Sequence, residues 1–384
     1  GSDGKDIETS SVEGGEVHDG VIHLHSATET IIFRGIKERP VPSLLRGFSA
    51  PINLVSPLTA EDRAFLALND SDPVARWQAL TVIFTQALLE GAKRIRGGHA
   101  PETDETIIAL AGNIASDETL DAAFRALCLT LPTESDIARE MGENVDPDAI
   151  FASRDYLIAA IGTAYAKEFA ALYTGLQQDG AFSPDSQSAG KRALRNVLLD
   201  YLSRHENSPA RAAQQFAHSD NMTDRAAALS VLVHRFGDSH EALDALSSFE
   251  KRFGDDGLVM DKWFIVQATR PGEKALEAVR TLTKDKLLSF DNPNRVRALI
   301  GAFSASNPTG FNRKDGAAYD FFADIVLAIA PENPQLAARL LTALRSWRSL
   351  EDTRREHARA ALARISGTQK LSTDLRDIVD RTLA

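Results

Sequence analysis

Residues 257–311 read GLVMDKWFIVQATRPGEKALEAVRTLTKDKLLSFDNPNRVRALIGAFSASNPTGF. Two Asn-Pro pairs, at 292–293 and 307–308, are helix-start signals, because Asn caps free backbone N–H groups and proline has none to lose at the first helical position. The first pair predicts that Arg295 and Arg297 lie in the first turn of a helix. A guanidinium group there opposes the helix dipole, which favours anions at that end. These arginines are therefore expected to serve something other than helix stability.

The same start chemistry recurs outside this stretch, as Asp-Pro, Ser-Pro or Asn-Pro pairs at 72–73, 146–147, 208–209 and 333–334. Apolar residues spaced three and four apart follow these pairs, as in Trp77, Leu80 and Phe84. Pro101 also precedes such a pattern, and we expect a helix to open there. Short loops separate the helical segments, and no fixed-period consensus repeat is present. This pattern predicts an α-helical superhelix, or irregular solenoid, over residues 56–384.

Residues 1–55 have a different pattern. Val21–His25 and Thr30–Phe33 are short, rich in β-branched residues and bounded by turn formers, which is typical of strands. Prolines at 40, 42 and 51 disfavour a helix. Three or four strands are too few to form a sandwich with a core of its own, so the sequence predicts the C-terminal part of a β domain.

Composition excludes several classes of protein. The 384 residues carry a net charge of −11, which argues against a nucleic-acid partner, because a non-specific binder needs a basic face. One cysteine, Cys128, rules out an internal disulfide and fits a reducing, cytoplasmic compartment; its apolar helix predicts a small core residue. No apolar run is long enough to span a bilayer, so we expect no membrane partner.

Six phrases, in order along nearly the whole chain, resemble the C-terminal region of bacterial aminopeptidase N, a family of zinc-dependent alanyl aminopeptidases. They are RPVPSLLR at 39–46, FSAP at 48–51, NMTD at 221–224, GLVMDKWF at 257–264, NPNRVR at 292–297 and GAF at 301–303. The resemblance implies that residues 1–55 are the end of an immunoglobulin-like sandwich whose first strands are absent here. It also implies that the helical region encloses a chamber for peptide substrates, next to a zinc-bearing catalytic domain missing from this sequence. The N-terminal face that this domain would cover is expected to be unusually apolar.

The resemblance also implies three peptide contacts in the chamber: Arg297, Gln335 and Arg339. Gln335 and Arg339 are four residues apart after the Asn-Pro pair at 333–334, so they share one face of a helix. The alternative from the residues alone is a surface or inter-helix salt bridge for each arginine. Trp263 and Phe264 are expected to pack in the core.

No catalytic centre is recognisable in the sequence. A zinc peptidase of this clan needs two histidines one helical turn apart with a glutamate beside the first. His205-Glu206 is followed by Pro209 and His240-Glu241 by Asp244, where the motif needs histidine. We therefore expect this chain to hold no zinc and to be inactive alone, as a monomer.

Several other segments have ordinary interpretations. His23 and His25 alternate on a strand and could share a metal only with a third ligand. Residues 141–144, MGEN, are interpreted as a helix end, and residues 345–364 as an exposed helix with salt links rather than an RNA-binding face. Residues 180–190 predict an exposed loop or hinge. The functional alternative to a peptidase region is a free-standing helical scaffold for peptides or partner proteins.

Overall fold

The computed structural model describes residues 1–18, 21–52, 54–178 and 180–384. Four short strands lie at the N-terminal end: β1 Ser11–Glu13, β2 Glu16–His18, β3 Val21–His23 and β4 Ile32–Arg34. They form two antiparallel pairs, β1 with β4 and β2 with β3, in which Val12 lies opposite Phe33 and Val17 opposite Ile22. The predicted strand Val21–His25 contains β3, and the predicted strand Thr30–Phe33 overlaps β4, which starts two residues later and ends one residue later than predicted.

The N-terminal segment exposes much apolar surface. Nine of the sixteen large apolar side chains that are exposed in the described part of the chain belong to residues 1–55, about a seventh of the sequence. Val55 is 96% exposed and Leu24 is 67% exposed. A monomer of ordinary surface composition does not concentrate apolar side chains in this way.

The rest of the described chain is helical, and this part of the predicted fold is confirmed. A π-helical segment, Arg297–Gly301, continues the helix Pro293–Val296 into the helix Ala302–Ser306. The helices are α1 Ala60–Asn69, α2 Pro73–Arg96, α3 Glu105–Ser116, α4 Ala122–Leu129, α5 Glu134–Met141, α6 Pro147–Ala164, α7 Ala166–Gly175, α8 Ser186–Glu206, α9 Ala210–His218, α10 Met222–Phe236, α11 His240–Phe253, α12 Gly257–Ala268, α13 Lys274–Leu282, α14 Pro293–Val296, α15 Ala302–Ser306, α16 Pro308–Phe311, α17 Ala317–Ile329, α18 Pro334–Leu341, α19 Asp352–Ser366 and α20 Thr373–Leu383.

Capping side chains explain where most helices begin. Asp72, Asp146, Asn292 and Asn333 each accept hydrogen bonds from backbone N–H groups in the first turn, with proline at the first position. The predicted start at Pro101 is wrong, because the Asp104 side chain caps α3 and the helix begins four residues later than predicted.

Three further expectations are settled by the helix bounds. Residues 180–185 form a loop, whereas 186–190 already belong to α8. Gly142, with φ of 76°, ends α5 as expected for a helix cap. The predicted exposed helix over 345–364 is partly wrong, because α19 begins at Asp352 and the side chain of Arg354 is fully buried.

One continuous core runs through the helical region. The long helices α2, α6 and α8 pack side by side, and α17, α18, α19 and α20 form a second group. Trp263 and Phe264 are 5% and 0% exposed and Cys128 is 3% exposed, so the expected core positions are confirmed.

Two backbone hydrogen bonds join parts of the helical region that lie far apart in the sequence. The backbone N–H of Val145 donates to the carbonyl of Ser349 at 2.8 Å, and the N–H of Glu351 donates to the carbonyl of Val145 at 3.0 Å. This parallel bridge links the start of α6 to the start of α19. Arg354 reinforces it through ion pairs with Asp146, Asp148 and Glu351.

Candidate functional site: a polar concave surface

The two arginines of the first Asn-Pro helix have different environments. Arg295 is 8% exposed, lies 3.3 Å from an Asp261 oxygen through Nε and donates to the Gly257 carbonyl at 3.1 Å. Its guanidinium carbon also lies 5.1 Å from the ring centre of Phe264. Arg295 therefore joins α14 to α12, which explains its position against the helix dipole.

Arg297 is exposed and takes part in none of the hydrogen bonds or ion pairs of Arg295. It is the first residue of the π-helical segment, and its Nη1 donates to the Asn294 side chain at 2.7 Å. π-Helical turns within α-helices occur frequently at functional sites, because the extra residue changes the direction of neighbouring side chains.

The structure brings Arg297, Gln335 and Arg339 to one cavity, which we name the arginine cavity. Its volume is about 640 Å³. Gln335 and Arg339 lie on one face of α18, as the spacing predicts, and both are exposed. Among the described residues neither arginine forms an ion pair, although Asp374 and Asp377 also line the cavity. The lining residues are Pro293, Arg297, Asn333, Gln335, Leu336, Ala338, Arg339, Thr342, Asp374, Asp377 and Ile378.

Shared lining residues link the arginine cavity to three further cavities, and we call the four together the concave surface. One, of about 640 Å³, shares Arg297, Arg339 and Thr342 with it. The central cavity, of about 520 Å³, shares Thr342 with the arginine cavity and lies beside α5, α6 and the residues that precede α19. The His234 cavity, of about 480 Å³, is joined to the central cavity by Glu134.

Two titratable side chains of the concave surface have shifted pKa values. Burial raises the pKa of Glu134 above 4.5, and the positive charges of Arg154 and Arg235 oppose this shift. Burial lowers the pKa of His234 to about 4, although a hydrogen bond from its ring to the Val266 carbonyl opposes the change. The concave surface therefore contains a neutral imidazole and a carboxyl group that ionises less readily than usual.

Neither of these two residues was found from the sequence. Glu134 follows the capping residue Thr133 as the first residue of α5, where an acidic side chain is an ordinary helix-stabilising choice. His234 stands alone in the sequence, without a partner at metal-ligand spacing. Only the packing of α5, α6, α8 and α10 brings them to one surface.

The two strand histidines have no third metal ligand beside them in the described residues. His23 and His25 are exposed, with ring centres 6.3 Å apart. Within the ranges that the structure describes, there is no group of three or more His, Cys, Asp or Glu side chains that could hold a metal ion. No helix in those ranges is both long and apolar enough to cross a membrane.

Comparison with known families assigns both parts of the chain. Residues 60–384 match a domain of unknown function described as ARM repeats, DUF3458_C. The chain belongs to this family. Residues 3–57 match a second domain of unknown function, DUF3458, described as having an Ig-like fold. The predicted fold class, a partial immunoglobulin-like segment followed by an α-superhelix, is thereby confirmed.

Three relatives of this DUF3458_C chain are named aminopeptidase N. Aminopeptidase N of Escherichia coli (strain K12) is 33% identical over 374 residues, which cover 97% of this chain and 42% of the relative. Aminopeptidase N of Caulobacter vibrioides is 36% identical over 367 residues, covering 94% of this chain and 42% of the relative. The resemblance to the C-terminal part of aminopeptidase N is confirmed.

A solved structure has the same fold. The crystal structure of Legionella pneumophila aminopeptidase A in complex with aspartic acid superposes with a TM-score of 0.82 at 25% identity, covering 92% of this chain and 43% of that one. The chain thus spans less than half the length of the relatives and of the solved structure that it matches.

Proposed function

We propose that this chain is the chamber-forming region of a zinc aminopeptidase that releases N-terminal residues from peptides. In this proposal the catalytic zinc and its ligands belong to the rest of a longer protein, since this sequence contains no His-Glu-x-x-His. The helical array shapes and limits access to the chamber, and the chain alone binds no zinc and hydrolyses no peptide. The supporting observation is that Arg297, Gln335 and Arg339 line one cavity.

The three contacts have a chemistry that suits a peptide. A guanidinium group donates two parallel hydrogen bonds to a carboxylate, or one to each of two carbonyl oxygens, and an amide such as Gln335 both donates and accepts. Because neither arginine is neutralised by an ion pair among the described residues, both are available to a bound peptide. We assign Arg297 and Arg339 to the carboxyl-terminal side of the substrate, which leaves its amino end for the catalytic region.

The N-terminal segment supports the same proposal. Its exposed apolar side chains fit a surface covered by the remainder of a longer protein. We place the boundary between this segment and the helical domain after residue 55. We also propose a monomeric, cytoplasmic protein.

Charge reversal at the two arginines tests the substrate contacts in the full-length protein. We expect Arg297→Glu and Arg339→Glu each to raise KM at least about tenfold for a peptide with a free terminal carboxylate, since a charged hydrogen bond contributes about 1.5–3 kcal/mol. The effect on an amino-acid anilide, which has no such carboxylate, should be small. Arg359→Glu is the matched control, because Arg359 is exposed and does not line the concave surface. An unchanged KM in both arginine variants would remove the contact assignment.

A further inference from the structure

A separate cavity of about 480 Å³ lies between α7, α8 and α9, and we name it the α7–α9 cavity. It shares no lining residue with the four cavities of the concave surface. Three arginines line it: Arg192, Arg195 and Arg211. The role proposed above for the chain makes no use of this cavity.

Two of these arginines have no anionic partner among the described residues. Arg192 is only 7% exposed, yet its guanidinium group forms no hydrogen bond or ion pair there. The Nε of Arg195 is buried without an acceptor. Arg211, by contrast, is held by Glu206.

The immediate neighbours of the guanidinium groups of Arg192 and Arg195 are aromatic rings rather than anions. The guanidinium carbon of Arg192 lies 4.6 Å from the ring centre of Phe182, and that of Arg195 lies 4.4 Å from the ring centre of Tyr173. A cation–π contact compensates only part of the cost of removing a guanidinium group from water. A bound anion would supply the missing charge-assisted hydrogen bonds.

Two carboxylates line the cavity among the described residues, Asp220 and Asp224, and both are engaged elsewhere. Asp224 accepts hydrogen bonds from the side-chain amides of Asn196 and Asn221, both within 3.0 Å. Asp220 is exposed and accepts from Asn221 at 2.9 Å. Neither carboxylate forms an ion pair with Arg192 or Arg195 in the part of the chain that the structure describes.

We propose that the α7–α9 cavity binds a small oxyanion, a carboxylate or a phosphate, between the guanidinium groups of Arg192 and Arg195. The planar guanidinium fork matches two oxygens of either anion. The rings of Phe182 and Tyr173 hold the two forks in place and form the apolar walls. This site is distinct from the proposed peptide contacts, so its occupancy does not depend on peptidase activity.

Calorimetric titration of the full 384-residue chain tests the site, with inorganic phosphate and malonate as probes at constant ionic strength set with chloride. We expect saturable binding of at least one probe, and the tighter probe identifies the source as a phosphate or a carboxylate. The double variant R192Q/R195Q should bind at least about tenfold more weakly, because it loses both charged donors. R345Q/R359Q removes the same charge from two exposed arginines outside the cavity and should bind like the unaltered chain.

A second variant keeps the test decisive if R192Q/R195Q does not fold. Gln214→Glu leaves both arginines in place and adds a carboxylate at an exposed position of the cavity lining. Like-charge repulsion should weaken anion binding several-fold. Absence of saturable binding by either probe, or equal affinities in Q214E, R345Q/R359Q and the unaltered chain, would overturn the proposal.

Discussion

Glu134 shows how a single side chain connects the cavities of the concave surface to the stability of the protein. It lines both the central cavity and the His234 cavity, and it forms no ion pair within the described residues. Burial disfavours its charged form, which is why its pKa is raised. A carboxyl group held in this way binds a proton more tightly in the folded chain than in the unfolded one.

The pH dependence of stability should therefore change in Glu134→Gln. Because the folded-state pKa lies above the ordinary value of 4.5, the contribution of Glu134 to stability is favourable below that pH and is lost as the pH rises above it. The free energy of unfolding of E134Q, relative to the unaltered chain, should rise as pH increases from 4.5. Urea unfolding at several pH values measures this difference, with Glu140→Gln on the same helix as the control. Parallel stability curves for E134Q and the unaltered chain would contradict the assignment.

At the residue scale, the sequence predicts where a side chain lies on a helix better than it predicts which residues that side chain contacts. The Asn-Pro pair places Arg295 and Arg297 in one helical turn, but only the packing of α12 shows that Arg295 is buried against Asp261 and Phe264. The contact residues Arg297, Gln335 and Arg339 came from the resemblance. Spacing alone predicted only that Gln335 and Arg339 share a face.

At the scale of helices, Asn307 is a cap with additional contacts. It is 2% exposed, and its Oδ1 accepts from the N–H of Gly310 at 2.9 Å. Its Nδ2 donates to the carbonyls of Ala268 and Arg270 at 2.8 and 2.7 Å. Asn307 therefore fixes the start of α16 against the end of α12.

Replacing this side chain should cost more than replacing an exposed cap. Asn307→Ala should lower the free energy of unfolding by about 2–4 kcal/mol, because it removes a cap and leaves one buried and one partly buried carbonyl without a donor. Asn292→Ala, at an exposed cap, should lower it by about 1 kcal/mol. Asn307→Asp keeps the acceptor but turns a carboxylate towards two carbonyls, so it should also destabilise. Equal losses in N307A and N292A, measured by urea unfolding, would show that the inter-helix bonds contribute nothing.

Helix starts were predictable because capping is local. Asp72, Asp146 and Asn333 each act within three residues of their position in sequence. The break between α6 and α7 at Tyr165 and the π-helical segment at 297–301 were not predicted. The apolar periodicity continues through both, so their irregular backbone has no signal in the pattern.

At the scale of the whole molecule, Arg354 links the start of α6 to the start of α19. Its side chain is 0% exposed and reaches Asp146 and Asp148, about 200 residues earlier, as well as Glu351. Asp146 and Glu351 are also the capping residues of α6 and α19. One guanidinium group therefore joins two helix N-termini.

Removing the guanidinium group of Arg354 should destabilise the contact between the starts of α6 and α19. Arg354→Met should lower the free energy of unfolding by about 3 kcal/mol, because three carboxylates are left close together without their cation. Arg354→Lys should recover little, since an ammonium group cannot contact all three in the same geometry. Arg355→Met, which removes an exposed pair with Asp352, should cost less than about 1 kcal/mol. Hydrogen exchange at Val145 and Glu351 should rise in R354M and not in R355M; unchanged exchange in both would refute the closing role.

This closure could not be predicted from the sequence. Residues 145–148 and 349–354 belong to helix starts of ordinary composition, and Arg354 lies in a segment that predicts an exposed, salt-linked helix. Short-range patterns identify helices, whereas contacts across about 200 residues depend on the accumulated geometry of all the helices between them. The fold class was predictable because it depends on short-range patterns. Consecutive helices joined by short loops pack against their neighbours in the sequence.

The most direct test of the proposed role is the size of the natural protein. An antibody raised against this chain, used on an extract of the source organism, should detect a band far above 41.7 kDa, because the relatives are more than twice as long as the region they share with it. Immunoprecipitation of that band should also recover zinc-dependent release of alanine from an alanyl substrate. A single band near 41.7 kDa would contradict the peptidase account and favour a free-standing helical scaffold.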